Sequence, residues 1–404
     1  MSTVPLHAVV LPDDPADPTD PTAPARAVGI LMRAIERMHS GGPPITPVTG
    51  AAARDLPGAV PDGTGAVLST SGSTGAAKRT ALPRSALLAS CAASLRRLGG
   101  PGDWLLCLPV GFVAGFQVVS RAVVGGNRVT TLDGGRFDAP AFVAATRRMG
   151  PGRRYTALVP TQIKRLLADP GGRAALSGFD RVMVGGAPLD GDTAARLGAV
   201  TDFVATYGMT ETGGGCVYDG VPLDGVRVRI VDEIVHIGGD TVASTYLGAA
   251  EEELSRFSTE GGLRWYRTSD RGRWDDGHRL VPLGRTDDLI NTGGFKVSAG
   301  AVEQALLGVD GVDSAVVMGL PDHEWGELVG AHVVLRAGTA PPDTGALRDR
   351  VRLRLGRAAM PKRIVFHEDV PLLPNAKIDR SAVRARLSAA PSVHTYAPLH
   401  GREG

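Results

Sequence analysis

The chain has 404 residues and a formal net charge of +2 at pH 7. This length suits two or three domains, and the near balance of charge gives no reason to expect a nucleic acid or an anionic membrane as a partner. The three cysteines, Cys91, Cys107 and Cys216, form no CxxC pair. We therefore expect reduced, buried thiols and no zinc site.

The N-terminal region contains no basic segment followed by a cleavable apolar core, which argues against a signal peptide. The longest apolar run, residues 105–119, is interrupted by Pro109, Gly111 and Gly115. It is shorter than the ~20 residues that a membrane span needs. We expect a cytoplasmic protein that has no membrane partner.

Strand-like and helix-like segments alternate from residue 67 onward, which predicts a parallel sheet covered by helices. A short initial strand is expected at residues 6–11. The later elements are, in chain order, a helix at 87–98, a strand at 127–132, a helix capped by Asp138 and ending at Met149, a strand at 155–159, a helix at 161–168, a strand at 181–184, a helix at 190–197 and a strand at 203–205.

The pattern changes near residue 226. Residues 226–231 and 233–237, joined tightly at Asp232, look like an antiparallel hairpin and predict a small β subdomain. After a boundary near Leu283, the predicted elements are a helix at 302–307, strands at 314–319 and 331–335, a helix at 345–355 and a strand at 364–367. We predict an α/β fold with a large N-terminal domain of mostly parallel sheets at 1–283 and a small α+β domain at 284–404.

One segment has the composition of a polyphosphate-binding loop. Residues 69–78 read Ser-Thr-Ser-Gly-Ser-Thr-Gly-Ala-Ala-Lys, and the candidate phosphate contacts are Ser71, Gly72, Ser73, Thr74, Gly75 and Lys78. Glycines allow close approach of the backbone, while N–H groups and hydroxyls donate to anionic oxygens. The spacing is not that of a Walker loop, since Arg79 follows the lysine. Taken alone, the segment is equally compatible with a flexible surface turn.

A second segment, Tyr-Gly-Met-Thr-Glu-Thr at residues 207–212, follows the apolar strand predicted at 203–205. It is therefore expected at a strand end, where open α/β sheets bind ligands. Thr210 offers a hydroxyl to a phosphate, Glu211 an oxygen ligand for Mg²⁺, and Tyr207 a flat face for a base. The alternative is a polar turn with an incidental carboxylate.

Four further motifs follow in order: Val-Gly-Gly-Ala-Pro-Leu at 184–189, Tyr-Arg-Thr-Ser-Asp-Arg-Gly at 266–272, Gly-Arg-Thr-Asp-Asp-Leu-Ile at 284–290 and Leu-Pro-Asn-Ala-Lys-Ile-Asp-Arg at 373–380. With them the chain resembles the adenylate-forming superfamily of acyl-CoA synthetases, luciferases and peptide-synthetase adenylation domains. The resemblance extends from about residue 67 to about residue 387. It implies a carboxylate joined to AMP with release of pyrophosphate, followed by transfer of the acyl group to a thiol. ATP with Mg²⁺, CoA and an aryl acid are the implied substrates and cofactors.

The resemblance also implies roles for individual residues. Lys377 is the candidate for the catalytic cation, which bridges the carboxylate and the α-phosphate. Thr210, through its hydroxyl, and Glu211, as the Mg²⁺ ligand, are the other candidate catalytic residues. Ala376 stands where the family usually has glycine. The implied nucleotide contacts are Gly186, Ala187 and Pro188 for adenine, Tyr207, Gly208 and Met209 beside them, and Asp270 and Arg285 for the ribose hydroxyls.

The implied architecture is a large domain and a small mobile C-terminal lid, with the active site between them. Asp287 resembles the family's hinge residue, and Gly293, Gly294 and Phe295 are the candidates for contact with the pantetheine arm of CoA. A homodimer is suggested by the family alone. Ordinary alternatives are a surface lysine at position 377 and a turn-capping aspartate at position 270.

The sequences of residues 108–115, 159–167 and 207–222 resemble those of the o-succinylbenzoate–CoA ligases of menaquinone biosynthesis, in particular their shorter actinobacterial type. Phe112, Thr161 and Gln162 are candidate contacts for the acid, although a core phenylalanine and a helix start explain them equally well. Three other functions stay open: a ligase for another aryl or alkyl acid, an enzyme that loads a carrier-protein thiol, and a non-catalytic nucleotide-binding protein.

Substitution Lys377→Ala is expected to lower the rate of acyl-adenylate formation by about a hundredfold or more, because the charge that develops on the α-phosphate loses its cation. Supplied acyl-adenylate should still react with CoA. The two half-reactions can be measured separately, as pyrophosphate release and as thioester formation from synthetic acyl-adenylate. A comparable loss of both, with an intact fold, would refute this division of labour.

Overall fold

The computed structural model describes residues 2–12, 20, 22–49, 56–69, 78–286, 288–336, 338–373, 378–389 and 395–396. The chain divides into two compact units. Unit 1 comprises Met1–Val231, His236–Thr268 and Asp275–Leu280, and unit 2 comprises Asp232–Val235, Ser269–Trp274 and Val281–Gly404. In the described part of the chain, no helix is both long enough and apolar enough to cross a membrane.

The first half of the chain alternates strands and helices. Its elements are β1 (Thr3–Pro5), β2 (His7–Leu11), α1 (Ala23–His39), β3 (Ile45–Thr49), β4 (Ala59–Pro61), β5 (Thr64–Ser69), β6 (Arg79–Pro83), α2 (Arg84–Leu98), β7 (Asp103–Leu106), α3 (Val113–Gly125), β8 (Val129–Thr131), α4 (Ala139–Arg148), β9 (Arg154–Leu158), α5 (Pro160–Ala168), α6 (Pro170–Leu176), β10 (Arg181–Val184), α7 (Gly191–Gly198), β11 (Phe203–Met209) and β12 (Gly214–Tyr218).

The second half is richer in strands. Its elements are β13 (Val221–Pro222), β14 (Val226–Val231), β15 (Ile234–Gly239), β16 (Thr245–Leu247), α8 (Glu251–Leu254), β17 (Phe257–Glu260), β18 (Leu263–Trp274), β19 (Leu280–Arg285), β20 (Leu289–Thr292), β21 (Phe295–Ser298), α9 (Ala299–Leu307), β22 (Val312–Asp322), β23 (Gly326–Leu335), α10 (Thr344–Leu355), β24 (Arg363–His367), α11 (Arg380–Ala389) and β25 (Thr395–Tyr396).

Two sheets of unit 1 carry the elements that matter for the site. One sheet has the order β13-β12-β11-β10-β9-β7-β8. Its strands from β11 to β8 are parallel, and β12 pairs antiparallel with both β11 and β13. The other sheet has the order β16-β6-β5-β3-β2 and mixes both directions. Apolar residues of α4, α5, α6 and α7 bury one face of the first sheet. The predicted α/β fold with mostly parallel sheets and flanking helices is confirmed.

Helix starts follow the predicted chemistry. Asp138 Oδ1 accepts a hydrogen bond from Ala141 N at 2.8 Å, which confirms the predicted cap of α4, and Asp190 Oδ1 accepts one from Thr193 N at 2.9 Å at the start of α7. The helix α4 ends at Arg148, one position before the predicted end. Aspartate at these positions satisfies N–H groups that have no partner within the helix.

The hairpin predicted around Asp232 is also present. β14 and β15 are neighbours in a sheet, and the residues between them, Asp232 and Glu233, have φ angles of 49° and 63°. A two-residue turn with both φ angles positive is the type I′ geometry, whose twist matches that of paired strands.

β11 extends further than the apolar pattern predicted. The pattern ended the strand at Ala205, whereas β11 continues to Met209 because β12 turns back and pairs with it, from Thr206 opposite Tyr218 to Met209 opposite Gly214. The pairing shifts register at Gly208. A Cβ atom added there would lie 2.1 Å from the Gly214 carbonyl oxygen, so this position has room for backbone alone.

Unit 2 has its own core, built on the sheet β21-β20-β23-β24-β25 with β22 paired to β23. Successive residues of β22 point to opposite faces: Val317 packs with α9 and α10, whereas Val316 and Met318 pack with α11. Residues 269–274 belong to this unit as well, and Thr286 N donates to Ser269 O at 2.7 Å.

A buried histidine lies on the α11 side of this sheet. The His332 ring is fully buried and stacks on His367, with centroids 4.6 Å apart, and its Nε2 lies 3.4 Å from Arg386 Nη1. Burial, with the charges of His367 and Arg386, lowers the pKa of His332 from 6.5 to about 4. Folding therefore favours the neutral ring. The neutral His332 ring contributes to the free energy of unfolding. This contribution is present above the unfolded pKa of 6.5 and is lost as the pH falls toward 4.

Substitution His332→Gln should remove this pH dependence while keeping an acceptor for Arg386. Between about pH 7 and about pH 5, the free energy of unfolding of the wild type should fall relative to that of the variant by about 2 kcal/mol. Urea denaturation at both pH values measures the difference. The exposed His323, changed in the same way, is the control. If the difference in free energy of unfolding between the wild type and His332→Gln does not change with pH, the lowered pKa of His332 is contradicted.

Substitution Gly208→Ala is expected to lower the free energy of unfolding by about 1–3 kcal/mol, because the new methyl group must displace the β12 backbone. Gly191→Ala is the matched control, since a Cβ atom there meets nothing within 4 Å. Thermal and urea unfolding of both variants measure the effect, and equal stability of the two would show that the bulge can open without cost.

Candidate active site

The predicted Tyr-Gly-Met-Thr-Glu-Thr segment spans the end of β11 and a 3₁₀ turn, Thr210–Thr212. The turn is closed by the fully buried Thr212: its hydroxyl accepts from Met209 N at 3.0 Å and donates to Gly214 O at 2.8 Å. These bonds fix the direction in which Thr210 and Glu211 leave the strand.

Side chains of two helices, α2 and α3, hydrogen-bond to the backbone just after this turn. Gln117 of α3 donates from Nε2 to Gly213 O, and Ser90 Oγ of α2 donates to the same carbonyl at 3.3 Å. Cys91 Sγ in turn donates to Gln117 Oε1 at 3.3 Å. A buried carbonyl that has no strand partner is thus satisfied by side chains of two neighbouring helices.

Glu211 is the central charged group of this site. Its residue is only 7% exposed, and its Oε1 accepts a hydrogen bond from the Tyr246 hydroxyl at 2.5 Å. Tyr246 and Tyr266 are linked by their hydroxyls at 2.8 Å. Within the described part of the chain, Glu211 Oε2 accepts no hydrogen bond. A buried carboxylate with one oxygen held and the other available is suited to bind a hard cation.

Lys78 lies close to the same tyrosine. Its Nζ is 2.6 Å from Glu253 Oε1 and 5.4 Å from the centroid of the Tyr246 ring. The antiparallel pairing of β6 with β16 places Tyr246 opposite Thr80, two residues after Lys78. The structure thus brings Lys78 and Glu211, which are distant in sequence, to the same aromatic side chain: Lys78 to its ring and Glu211 to its hydroxyl.

Sequence reasoning missed three members of this cluster. Tyr246 and Glu253 lie outside the six motifs, and only Tyr266 lies within one of them, at residues 266–272. The signal that was available is the scarcity of tyrosine, since the chain has six. That scarcity identifies no function, because the partners of a tyrosine become visible only in three dimensions.

The segment predicted to contact adenine begins where β10 ends. Gly185 N donates to Leu158 O at 3.2 Å, and a Cβ atom at Gly185 would lie 2.5 Å from Thr206 Oγ1. Gly186 has a φ of +84°, and the residues that follow it, Ala187 and Pro188, are exposed. The segment therefore lies at the carboxyl end of β10 beside β11, which also carries the half-buried Tyr207.

The residues predicted to contact the acid have different surroundings. Gln162 is buried: it donates to Cys107 O at 3.0 Å and accepts from Val159 N at 3.1 Å, so both ends of its amide are bonded to backbone at the start of α5. Its neighbour Thr161 is half-buried. Phe112 is half-buried and extended at the position that precedes α3. Contact of these side chains with an acid stays a prediction.

Unit 2 contains the residues predicted for ribose and pantetheine. Arg285 Nη1 lies 3.7 Å from Asp270 Oδ1. Gly293 N donates to Trp325 O at 2.9 Å, and a Cβ atom at Gly293 would lie 2.6 Å from the Trp325 ring. Gly294 has a φ of +82°, and Phe295 is 64% exposed. Exposed aromatic surface beside tightly turned backbone is compatible with ligand contact.

Several predicted residues cannot be placed. Ser71, Gly72, Ser73, Thr74, Gly75, Asp287 and Lys377 lie outside the described residues. The cysteines are free and buried as predicted, and burial raises the pKa of each thiol to about 12. Such thiols are protonated at neutral pH and are poor nucleophiles.

Two family models match the sequence: AMP-binding enzyme over residues 10–247 and AMP-binding enzyme C-terminal domain over residues 301–377. The chain is 38% identical over 375 residues to a probable 2-succinylbenzoate–CoA ligase of Mycobacterium tuberculosis H37Rv, covering 90% of this chain and 96% of the relative. It is 32% identical over 368 residues to the sulfoacetate–CoA ligase of Cupriavidus necator, covering 83% of this chain and 70% of the relative.

Solved structures share the fold. The amide bond synthetase McbA from Marinactinospora thermotolerans aligns with a TM-score of 0.70 at 27% identity, over 91% of this chain and 79% of the other. The o-succinylbenzoate CoA synthetase MenE from Bacillus subtilis, in complex with the acyl-adenylate OSB-AMP, aligns with a TM-score of 0.69 at 21% identity, over 90% of this chain and 82% of the other. At that identity the second match shows the fold alone.

These matches confirm the resemblance that the six motifs indicated and the prediction of an AMP-forming acid–CoA ligase at the level of the family. This family assignment agrees with the carboxylate at the strand end, the glycine-rich segments and the C-terminal domain. The chain belongs to the AMP-binding enzymes, the adenylate-forming family.

Proposed function

We propose that this enzyme joins 2-succinylbenzoate to CoA by way of an acyl-adenylate, a reaction of menaquinone biosynthesis. The observation that supports this acid is the 38% identity to a probable 2-succinylbenzoate–CoA ligase, which extends over 90% of this chain and 96% of the relative. Other acid–CoA ligases with 31–32% identity, for sulfoacetate and ferulate, match smaller shares of this chain.

In the first step a carboxylate oxygen of the acid attacks the α-phosphorus of ATP, and pyrophosphate leaves. Both reactants are anions, so catalysis depends on holding them together and on stabilising charge at the phosphate. Lys377 supplies the cation between the carboxylate and the α-phosphate. Lys78 and the loop residues Ser71, Gly72, Ser73, Thr74 and Gly75 bind the remaining phosphates, and Thr210 donates its hydroxyl to the α-phosphate.

Mg²⁺ would accompany the ATP, and Glu211 is the residue that would hold it. The fit rests on this chain's own chemistry: Glu211 is a carboxylate, it is buried, and its Oε2 accepts no hydrogen bond from the described residues. A bound cation would draw charge from the phosphates of ATP and so favour departure of pyrophosphate. Gly186, Ala187, Pro188, Tyr207, Gly208 and Met209 contact the adenine, and Asp270 and Arg285 contact the ribose.

In the second step the CoA thiol attacks the acyl carbonyl, and AMP leaves. Gly293, Gly294 and Phe295 contact the pantetheine arm, while Phe112, Thr161 and Gln162 lie along the acid. We propose residues 1–283 as the nucleotide- and acid-binding domain and residues 284–404 as a lid that turns about Asp287 between the two steps. A cytoplasmic location, with no nucleic-acid partner and with a homodimeric assembly, stays a prediction.

A second candidate transfers the acyl group to a carrier-protein thiol. The observation that favours it is 30% identity over 347 residues to part of the probable non-ribosomal peptide synthetase CymA of Salinispora arenicola. The adenylation step is then the same, and CoA is not consumed.

The test is a panel of acids with ATP and Mg²⁺, with and without CoA. We expect pyrophosphate release and a CoA thioester with 2-succinylbenzoate, at a kcat/KM about a hundredfold or more above that for benzoate, because a site that binds a second carboxylate rejects an acid without one. Pyrophosphate assays and mass spectrometry of the thioester measure both products.

The other outcomes each identify an alternative. A preference for benzoate, ferulate or sulfoacetate would replace the proposed acid. Pyrophosphate release without any CoA thioester would favour the carrier-protein enzyme. Absence of pyrophosphate release with every acid would favour a non-catalytic nucleotide-binding protein.

A further inference from the structure

Tyr246 is held firmly in the interior of unit 1. The residue is 3% exposed, and its ring packs edge-on against Phe257 at 5.0 Å between centroids and against Tyr266 at 6.4 Å. Its backbone is part of β16, which pairs with β6. A side chain enclosed in this way has little rotamer freedom, so its hydroxyl occupies a defined place.

The direction of the hydrogen bonds at this hydroxyl follows from its single proton. Tyr246 donates that proton to Glu211 Oε1 at 2.5 Å, so the hydroxyl of Tyr266, 2.8 Å away, must donate to Tyr246. Tyr266, Tyr246 and Glu211 therefore form a chain of hydrogen bonds that ends on the carboxylate.

The Tyr246 ring also lies close to Lys78. The ammonium lies 5.4 Å from the centroid of Tyr246 and 2.6 Å from Glu253 Oε1. The same aromatic side chain thus contacts the carboxylate assigned to the cation and the lysine assigned to a phosphate. No other described tyrosine donates to Glu211.

We propose that Tyr246 is a positioning residue for the divalent cation of this reaction: it holds Oε1 of Glu211 so that Oε2 is presented to a cation bound with the phosphates of ATP. This inference rests on the proposed function of Glu211. A glutamate side chain has several rotatable bonds, and a hydrogen bond from a fixed donor removes that freedom before the cation arrives. Charge-assisted bonds of this kind are stronger than neutral ones.

The substitution Tyr246→Phe removes the donor and keeps the ring against Lys78. The readout is the ratio of the ATP dissociation constant without metal to that with Mg²⁺, measured by calorimetry in the absence of acid. We expect this ratio to fall about tenfold, with ATP affinity in the absence of metal unchanged. In turnover, the half-saturating Mg²⁺ concentration should rise and excess Mg²⁺ should restore kcat.

Two variants control for the loss of a buried hydroxyl. Tyr218→Phe is the matched control, because Tyr218 is fully buried and its hydroxyl pairs with Ser94 at 2.8 Å, without contact with Glu211. Its ratio should stay at the wild-type value. Tyr266→Phe removes the second link of the chain and should lower the ratio by a smaller factor. If Tyr246→Phe fails to fold, Tyr266→Phe decides, and an unchanged ratio there would overturn the proposal.

Glu211→Gln separates this inference from the function beneath it. If Glu211→Gln abolishes the metal-dependent gain in ATP affinity while Tyr246→Phe retains it, the positioning role is wrong and the proposed metal ligand stands. If neither variant alters the ratio, Glu211 does not bind the cation and the inference fails with it. An equal fall in the ratio for Tyr218→Phe would also overturn the proposal, because any buried hydroxyl would then suffice.

Discussion

A carboxylate can lie inside a protein only where hydrogen bonds or a cation offset its loss of water, and Glu211 imposes that constraint on the whole end of strand β11. Tyr246 satisfies one of its oxygens. The turn that carries it is closed by the Thr212 hydroxyl and held by Gln117 from the adjacent helix. Each of these side chains comes from a different element, so the site depends on the packing of the entire unit.

Two glycines of the predicted motifs mark places where backbone or a bulky side chain comes close. Gly208 faces the Gly214 carbonyl across the β11–β12 bulge, and Gly293 lies against the Trp325 ring. In both places a methyl group would force neighbouring atoms apart. Gly208 and Gly293 therefore have a packing reason that is independent of any ligand.

The two units are each stabilised by a core of their own. In unit 2 the strand β22 supplies alternate residues to two clusters, one with α9 and α10 and one with α11. A core of its own is the physical requirement for a lid that moves as one body, the role that we propose for residues 284–404. The neutral His332, buried beside α11, makes this interior sensitive to acid.

The sequence by itself determined the family, the α/β class and most elements, because hydrophobic periodicity and capping residues such as Asp138 act over a few positions. It also singled out Glu211 and Lys78 as candidates, since motif chemistry is local. The strand end at Met209, the bonded amide of Gln162 and the contacts of Tyr246 were decided only by the tertiary structure. Each depends on residues far apart in the chain, as when β6 pairs with β16 and brings Tyr246 close to both Lys78 and Glu211, and no local pattern records such a pairing.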